Sequence, residues 1–313
     1  MVVFYDPIYT DGIHKEARFP RDRYRLLAEH LASCPELELR RPEPISRDLL
    51  ITAHDPEYVD RFLGGRLSEK EMRRIGLRPW TEAIVERTLR LTGGSVQALH
   101  EVVRTGGVSG NMAGGTHHAF YAEGSGYCVF NDLAIVALQA LELPGIEQVL
   151  ILDLDVHQGD GTATLFQHHP MVHTVSMHGA KNFPFRKQKS DWDIALPNGT
   201  GDEEYLNILA QVLEDLNSRH VQLLLYQAGV DPLEADHLGH LNLSRQGLDR
   251  RNRMVFDWAE RQRIPVVIFM GGGYATPIER SVEAFVDLFT EAARRHARSR
   301  SRPEGTQPDE GDG

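Results

Sequence analysis

The stretch VLILDLDVHQGDG, residues 149–161, decides the fold class. Its first half is a Val/Leu/Ile run, the composition of a strand buried on both faces rather than one with a wet side. VHTVSMH (172–178), LLLYQAG (223–229) and PVVIFMGG (265–272) read the same way, and VVFY (2–5) reads as a short buried strand. Helical patterns separate them. TGDEEYL (200–206) carries a capping-box pair, Thr200 and Glu203, ahead of apolar Tyr205, Leu209, Val212, Leu213 and Leu216. LSRQGLDRRNRMVFDWAE (243–260) starts at a Ser cap and turns Leu248, Val255, Trp258 and Ala259 inward. Strands of this type alternating with helices predict an α/β fold: a single domain with a mostly parallel central sheet and helices on both faces.

Outward from that centre, Arg21 to Leu31 reads as a helix with Leu26, Leu27 and Leu31 on one side. ITAHDPEYVDRFLGG (51–65) is a short helix entered through HDP and closed by a glycine pair, and 66–80 is an irregular connection. Thr81 to Val103 reads as a long helix in which Gly93 and Gly94 either weaken the pattern or mark a close helix contact. Residues 297–313 have almost no apolar side chains and are expected to form a disordered tail, leaving 1–296 as the folded domain.

The net charge of −11 argues against a protein built to grip a phosphate backbone, so no nucleic-acid partner is expected. The same charge suits cationic or polyamine substrates, although solubility alone explains it. Two cysteines, Cys34 and Cys128, need no disulfide framework. The start MVVFYDPIYTDG lacks the basic-then-apolar pattern of a signal peptide, and no apolar run reaches the roughly 18–20 residues of a membrane span. A soluble, cytoplasmic protein is expected.

The chemistry lies where polar residues leave the strands. Asp153, Asp155 and His157 alternate off the end of the 149–155 run, and period-two geometry predicts that they converge. A carboxylate and an imidazole so spaced suit a metal such as Zn²⁺, although capping aspartates in a loop would look similar. LLLYQAGVD ends on Asp231, a candidate third ligand, and VVIFMGGGY ends on three glycines and Tyr274. MAGGTHHAF (112–120) supplies His117 and His118, and GSGYCVFND (124–132) supplies Tyr127 and Phe130 beside Cys128. Each cluster alone has a plain structural account. Together they hold a metal with an open position for water, two histidines for proton transfer, a tyrosine for an oxyanion, and acids, Asp153 and Asp160, to orient the histidines. That set is suited to amide hydrolysis.

On these motifs the sequence resembles the histone deacetylase family, most closely its class IV branch and that branch's bacterial relatives. The likeness runs over roughly residues 2 to 290 through GGTHHAF, GSGYCVFND, ILDLDVHQGDGT, VSMH, QAGVDPLEADHLG and GGGY, in family order. It implies the arginase/deacetylase fold and ligation of zinc by Asp155, His157 and Asp231, an oxygen-rich donor set that Fe²⁺ could also occupy. It implies His118 as general base and then acid, His117 as electrostatic partner of the water on the metal, Asp153 behind His117, and Asp160 behind His118. Tyr274 would polarise the scissile carbonyl, Tyr127 and Phe183 would wall a tunnel, Leu238 would lie near its mouth, and the Gly126 carbonyl would accept from the substrate amide. A potassium ion is implied at Asp153, Asp155, His157, Ser176 and Met177. Gln158 stands where many members have a second histidine.

The expected partner is acylated lysine in proteins, with acetyl or longer fatty-acyl groups, or else an acetylpolyamine or other small amide. A two-manganese ureohydrolase is disfavoured because Gly159 stands where D-x-H-x-D needs an acid. A catalytically silent acyl-lysine binding module is disfavoured by the intact histidines and Tyr274.

Overall fold

The computed structural model describes residues 1–301. In chain order the first elements are β1 (Val2–Phe4), α1 (Ile8–Asp11), α2 (Asp22–Leu31), β2 (Glu38–Arg40), α3 (Arg47–Leu50), α4 (Pro56–Leu63), α5 (Glu69–Ile75) and α6 (Ile84–Thr105). There follow β3 (Val108–Asn111), α7 (Asp132–Leu141), β4 (Val149–Asp153), α8 (Asp160–Phe166), β5 (Val172–Gly179) and β6 (Trp192–Leu196). The chain then forms α9 (Asp202–Leu216), β7 (Leu223–Gln227), α10 (Arg245–Gln262), β8 (Val266–Phe269) and α11 (Glu279–Ser301).

The strands form one eight-stranded sheet in the order β2-β1-β3-β8-β7-β4-β5-β6, every pair parallel. Helices cover both faces, as β3 shows. Gly110 leaves room for Phe289 of α11, while the next residue, Asn111, donates from Nδ2 to the Leu91 carbonyl of α6 at 2.7 Å. Neighbouring strand residues point to opposite faces, so α6 and α11 lie on opposite sides. α7 and α8 continue the first layer, and α2, α10 and α9 the second. One continuous apolar core runs between sheet and helices, as expected of a single domain.

Several expectations need correction. The connection 66–80 contains α5, whose capping box joins Ser68 to Glu71. The capping box proposed at Thr200 and Glu203 does not form: Gly201 is the N-cap, and the Thr200 hydroxyl donates to the Pro197 carbonyl instead. Leu26 of α2 is only partly buried, and the inward face is Arg23, Tyr24, Leu27, Ala28 and Leu31. The last helix runs to Ser301, past residue 297 where the sequence places the start of a tail; the remainder, 302–313, lies outside the described residues. At Gly93 the close neighbour is the loop between β2 and α3 rather than a helix: a Cβ there would come within 2.0 Å of the Glu43 carbonyl oxygen. No helix among the described residues is long and apolar enough to cross a membrane.

Candidate functional site

The site forms at the C-terminal ends of β3, β8, β7 and β4, four adjacent strands at the middle of the sheet. That edge is where open parallel sheets bind ligands. β4 stops at Asp153, so strand alternation does not bring Asp155 and His157 together, as the spacing had suggested. Two successive Asx-type turns do. The Asp155 N–H donates to Asp153 Oδ1 (3.1 Å), and the His157 N–H donates to Asp155 Oδ1 (3.0 Å).

Asp231, four residues beyond β7, enters from the neighbouring strand and accepts from the Val156 N–H (2.8 Å). Asp155 Oδ2 accepts from the Gly272 N–H (2.7 Å). His157 Nδ1 then lies 3.0 Å from both Asp155 Oδ1 and Asp231 Oδ2. One donor atom from each of the three buried residues falls within 4.8 Å of the other two, and among the described residues this is the one acid–histidine group so arranged. Glycines make the approach possible: a Cβ at Gly229 would sit 2.2 Å from Asp155 Oδ2, and one at Gly272 would sit 2.0 Å from Asp231 Oδ2.

The electrostatics fit a cation. Burial, then the nearby Asp155 charge, pushes the Asp231 carboxyl up to about 7. Burial opposes charge on His157, yet hydrogen bonds to Asp155 and Asp231 push it up to about 10. A divalent ion among the three would balance both carboxylates and leave the imidazole neutral. Two carboxylates and one imidazole are a donor set that such an ion accepts.

His117 and His118 project from the loop after β3, their ring centroids 4.1 Å apart. Each has a carboxylate behind it: Asp153 Oδ2 at 2.6 Å from His117 Nδ1, and Asp160 Oδ1 at 2.7 Å from His118 Nδ1. A carboxylate only accepts, so each Nδ1 carries the hydrogen and each Nε2 faces the site. Burial opposes a charge on His117, but Asp153 and Asp155 push it up to about 9. Burial and the His117 charge lower His118 to about 4. Tyr274 is buried, with its ring 6.3 Å from that of His157.

The expected tunnel residues also assemble. The Phe183 ring meets His118 edge-on at 4.9 Å, Tyr127 lies 6.0 Å from Tyr274, and Leu238 is 37% exposed at the rim. Tyr127 has φ of 69°, a left-handed conformation costly for a tyrosine, and is fixed by its N–H bond to the Ile75 carbonyl (2.7 Å). Gly126 at φ of 52° passes so close to His118 that a Cβ would lie 2.6 Å from its ring. Its carbonyl accepts from the Cys128 thiol at 3.3 Å. Ser176 pairs with Asp153 across β4 and β5, with Met177 following, and its hydroxyl lies 3.0 Å from His178 Nδ1.

Several positioning residues escaped the sequence reading. Asp132 gathers the histidine loop by accepting from the Gly115 and Thr116 N–H groups, the Thr116 hydroxyl and Ser95. Asp236 holds the rim through the N–H groups of Tyr274, Leu238 and Gly239. Asp132 sits inside the quoted GSGYCVFND and Asp236 inside QAGVDPLEADHLG, so a signal existed without a role attached. Arg251 is fully buried on α10 and donates to the carbonyls of Leu154, Ala228 and Gly229, clamping the ends of β4 and β7. Arg251→Met is expected to cost about 3 kcal/mol or more, because three buried carbonyls lose charged donors. Urea unfolding measures this, and an unchanged midpoint would remove the clamp from the account.

Residues 17–289 match the Histone deacetylase domain. The chain belongs to the histone deacetylase family. An uncharacterized protein of Picosynechococcus sp. is 45% identical over 282 residues, spanning 88% of this chain and 93% of the relative. Histone deacetylase 2 of Arabidopsis thaliana is 28% identical over 276 residues, spanning 84% of this chain and 71% of the relative. Histone deacetylase 8 of Xenopus tropicalis is 27% identical over 272 residues, spanning 80% and 72%. The all-parallel sheet is that of the arginase/deacetylase fold, and membership makes the chain a hydrolase acting on amides.

Proposed function

We propose that this family member removes short acyl groups, acetyl above all, from the side-chain amine of lysine. One observation carries the reading: two carboxylate-backed histidines and Tyr274 share one small cavity with Asp155 and His157 of the Asp155–His157–Asp231 cluster, and glycine backbone closes it behind. We assign Zn²⁺ to the cluster, with Fe²⁺ the other ion that this oxygen-rich set admits. Held by Asp155, His157 and Asp231, such an ion would supply Lewis acidity, easing deprotonation of water near pH 7 and drawing electrons from a carbonyl.

The chain's own groups do the rest. His118 Nε2, its ring oriented by Asp160, takes the proton of the attacking water and then delivers it to the leaving amine. His117, oriented by Asp153, stabilises the attacking oxygen through charge and a hydrogen bond. The Tyr274 hydroxyl donates to the substrate carbonyl oxygen as negative charge grows there. Tyr127 and Phe183 flank the alkyl stem, and the second lone pair of the Gly126 carbonyl receives the substrate amide N–H. The neighbouring ends of β4 and β5, with Asp153, Asp155, His157, Ser176 and Met177, are assigned to a structural K⁺. Two free thiols, Cys34 and Cys128, suit a reducing cytoplasm.

The cavity's size supports a short acyl group. That cavity offers only about 40 Å³ beside Asp155, His157 and Tyr274, room for about three water molecules. Two buried guanidinium groups, Arg23 and Arg87, form part of its wall, which is poor company for an alkyl chain. An acyl-length and carrier panel on the metal-loaded protein tests the reading. Acetyl-lysine peptides are expected to exceed octanoyl-lysine peptides by about tenfold or more in kcat/KM, the scale of an overpacked cavity, and to exceed acetylpolyamines. A panel led by long chains or by polyamines would refute it.

A further inference from the structure

At the tunnel mouth the charge runs against that of the whole chain. The sequence carries a net −11, yet the open cavity of about 920 Å³ outside His118 and Tyr274 is rimmed by Arg74, Lys181 and Arg186. Arg18 lies close enough to Tyr127 to act on its phenol. The acids at this mouth are already engaged: Glu123 pairs with Arg74, and Asp160 is buried against His118. Arg18, Lys181 and Arg186 are exposed and have no ion-pair partner among the described residues. Beside Arg186, Phe185 stands 90% exposed, its ring edge-on to Phe183.

The loop that displays Lys181, Phe185 and Arg186 is tied down. Gln158 Nε2 donates to the Gln188 carbonyl (2.8 Å) and to Asp193 (2.6 Å), while its Oε1 accepts from the Gln188 N–H (2.8 Å). Lys187 Nζ closes the loop onto the carbonyls of Asn182 and Pro184, and Asn182 Nδ2 ties it to Leu238. The backbone that carries Lys181, Phe185 and Arg186 is therefore fixed at the entrance before substrate arrives. Such a rim attracts anionic carriers and repels cationic ones, giving specificity by attraction and repulsion together.

We propose that the acyl-lysine is presented on a peptide segment with acidic residues flanking the lysine and an apolar residue to cover Phe185. This rests on the acyl-lysine reading above and narrows its substrate class. The test uses zinc-loaded protein and three acetyl-lysine peptides that differ only in their flanking positions, carrying Glu, Ala or Lys. The expected kcat/KM order is Glu, Ala, Lys, with about tenfold between the extremes at low ionic strength. The spread contracts towards parity near 1 M salt, where screening reaches contact distance.

Lys181→Glu combined with Arg186→Glu is expected to invert the order, each rate being normalised to the same variant's rate on a minimal acetyl-lysine amide. Parity among the peptides, or an unchanged order in the double variant, overturns the inference while leaving deacylation itself standing. If no amide is hydrolysed at all, the enzyme reading fails separately. The affinities of the same peptides, read by fluorescence anisotropy, then decide this inference: the order Glu, Ala, Lys supports it and parity overturns it.

Discussion

Asp231→Ala is expected to abolish stable metal binding and to lower deacylation by at least about a thousandfold, because the proposed site would lose one of its three ligands. The carboxylate does two jobs that the structure separates. Oδ2 faces His157, while Oδ1 accepts from the Val156 N–H and so helps shape the turn that carries His157. Asp231→Asn keeps an acceptor for Val156 but removes the charge, so a metal deficit in both variants isolates the ligand role from the turn. Elemental analysis after dialysis, with melting temperature in parallel, reads the outcome. A full equivalent of metal in the Asn variant, with activity retained, would sink the assignment of this cluster as the metal site. Chelation of the wild-type protein should reproduce the loss, and added Zn²⁺ or Fe²⁺ should restore it.

His118→Ala should leave the metal in place and still lower kcat by about 10²–10⁴, the usual worth of a positioned acid–base group. KM is expected to move little, because proton transfer is lost while the tunnel walls remain. His117→Ala should cost less, since the part proposed for it is to stabilise charge rather than carry the proton through both steps. Measuring kcat, KM and metal content for the pair separates these roles. A larger loss at His117 than at His118 would exchange their assignments, and near-wild-type turnover without either would remove both from the mechanism.

Much of this site was legible because its residues sit where local pattern breaks. Asp153 ends an apolar run, His117 and His118 follow a glycine pair, and Tyr274 follows three glycines. Each is a polar side chain at the edge of a buried segment, which a one-dimensional reading can register. The edge strands β2 and β6 and the central β3 were missed. β3 reads VSGN, which carries no β signal, and it holds its place through burial: Gly110 admits Phe289, and Asn111 is satisfied by α6 and by Tyr9. Tertiary contacts outweigh propensity there. At Thr200 the local signal was present but lost to a competitor, the Pro197 carbonyl.

The sequence by itself determined the parallel α/β architecture and the donor types of the centre, because buried strands and clustered histidines and acids mark themselves in composition. The tertiary structure decided how those donors meet. Asp231 stands 74 residues from His157, yet the two meet at 3.0 Å because β7 lies beside β4. Arg251, Asp132 and Asp236 look like ordinary surface charges in the sequence, and only burial against loop carbonyls and N–H groups makes them clamps. The basic mouth is shared between the two: Lys181 and Arg186 stand together on one short segment of the sequence, and folding sets that segment over the site entrance while the acids there, Glu123 and Asp160, are paired or buried.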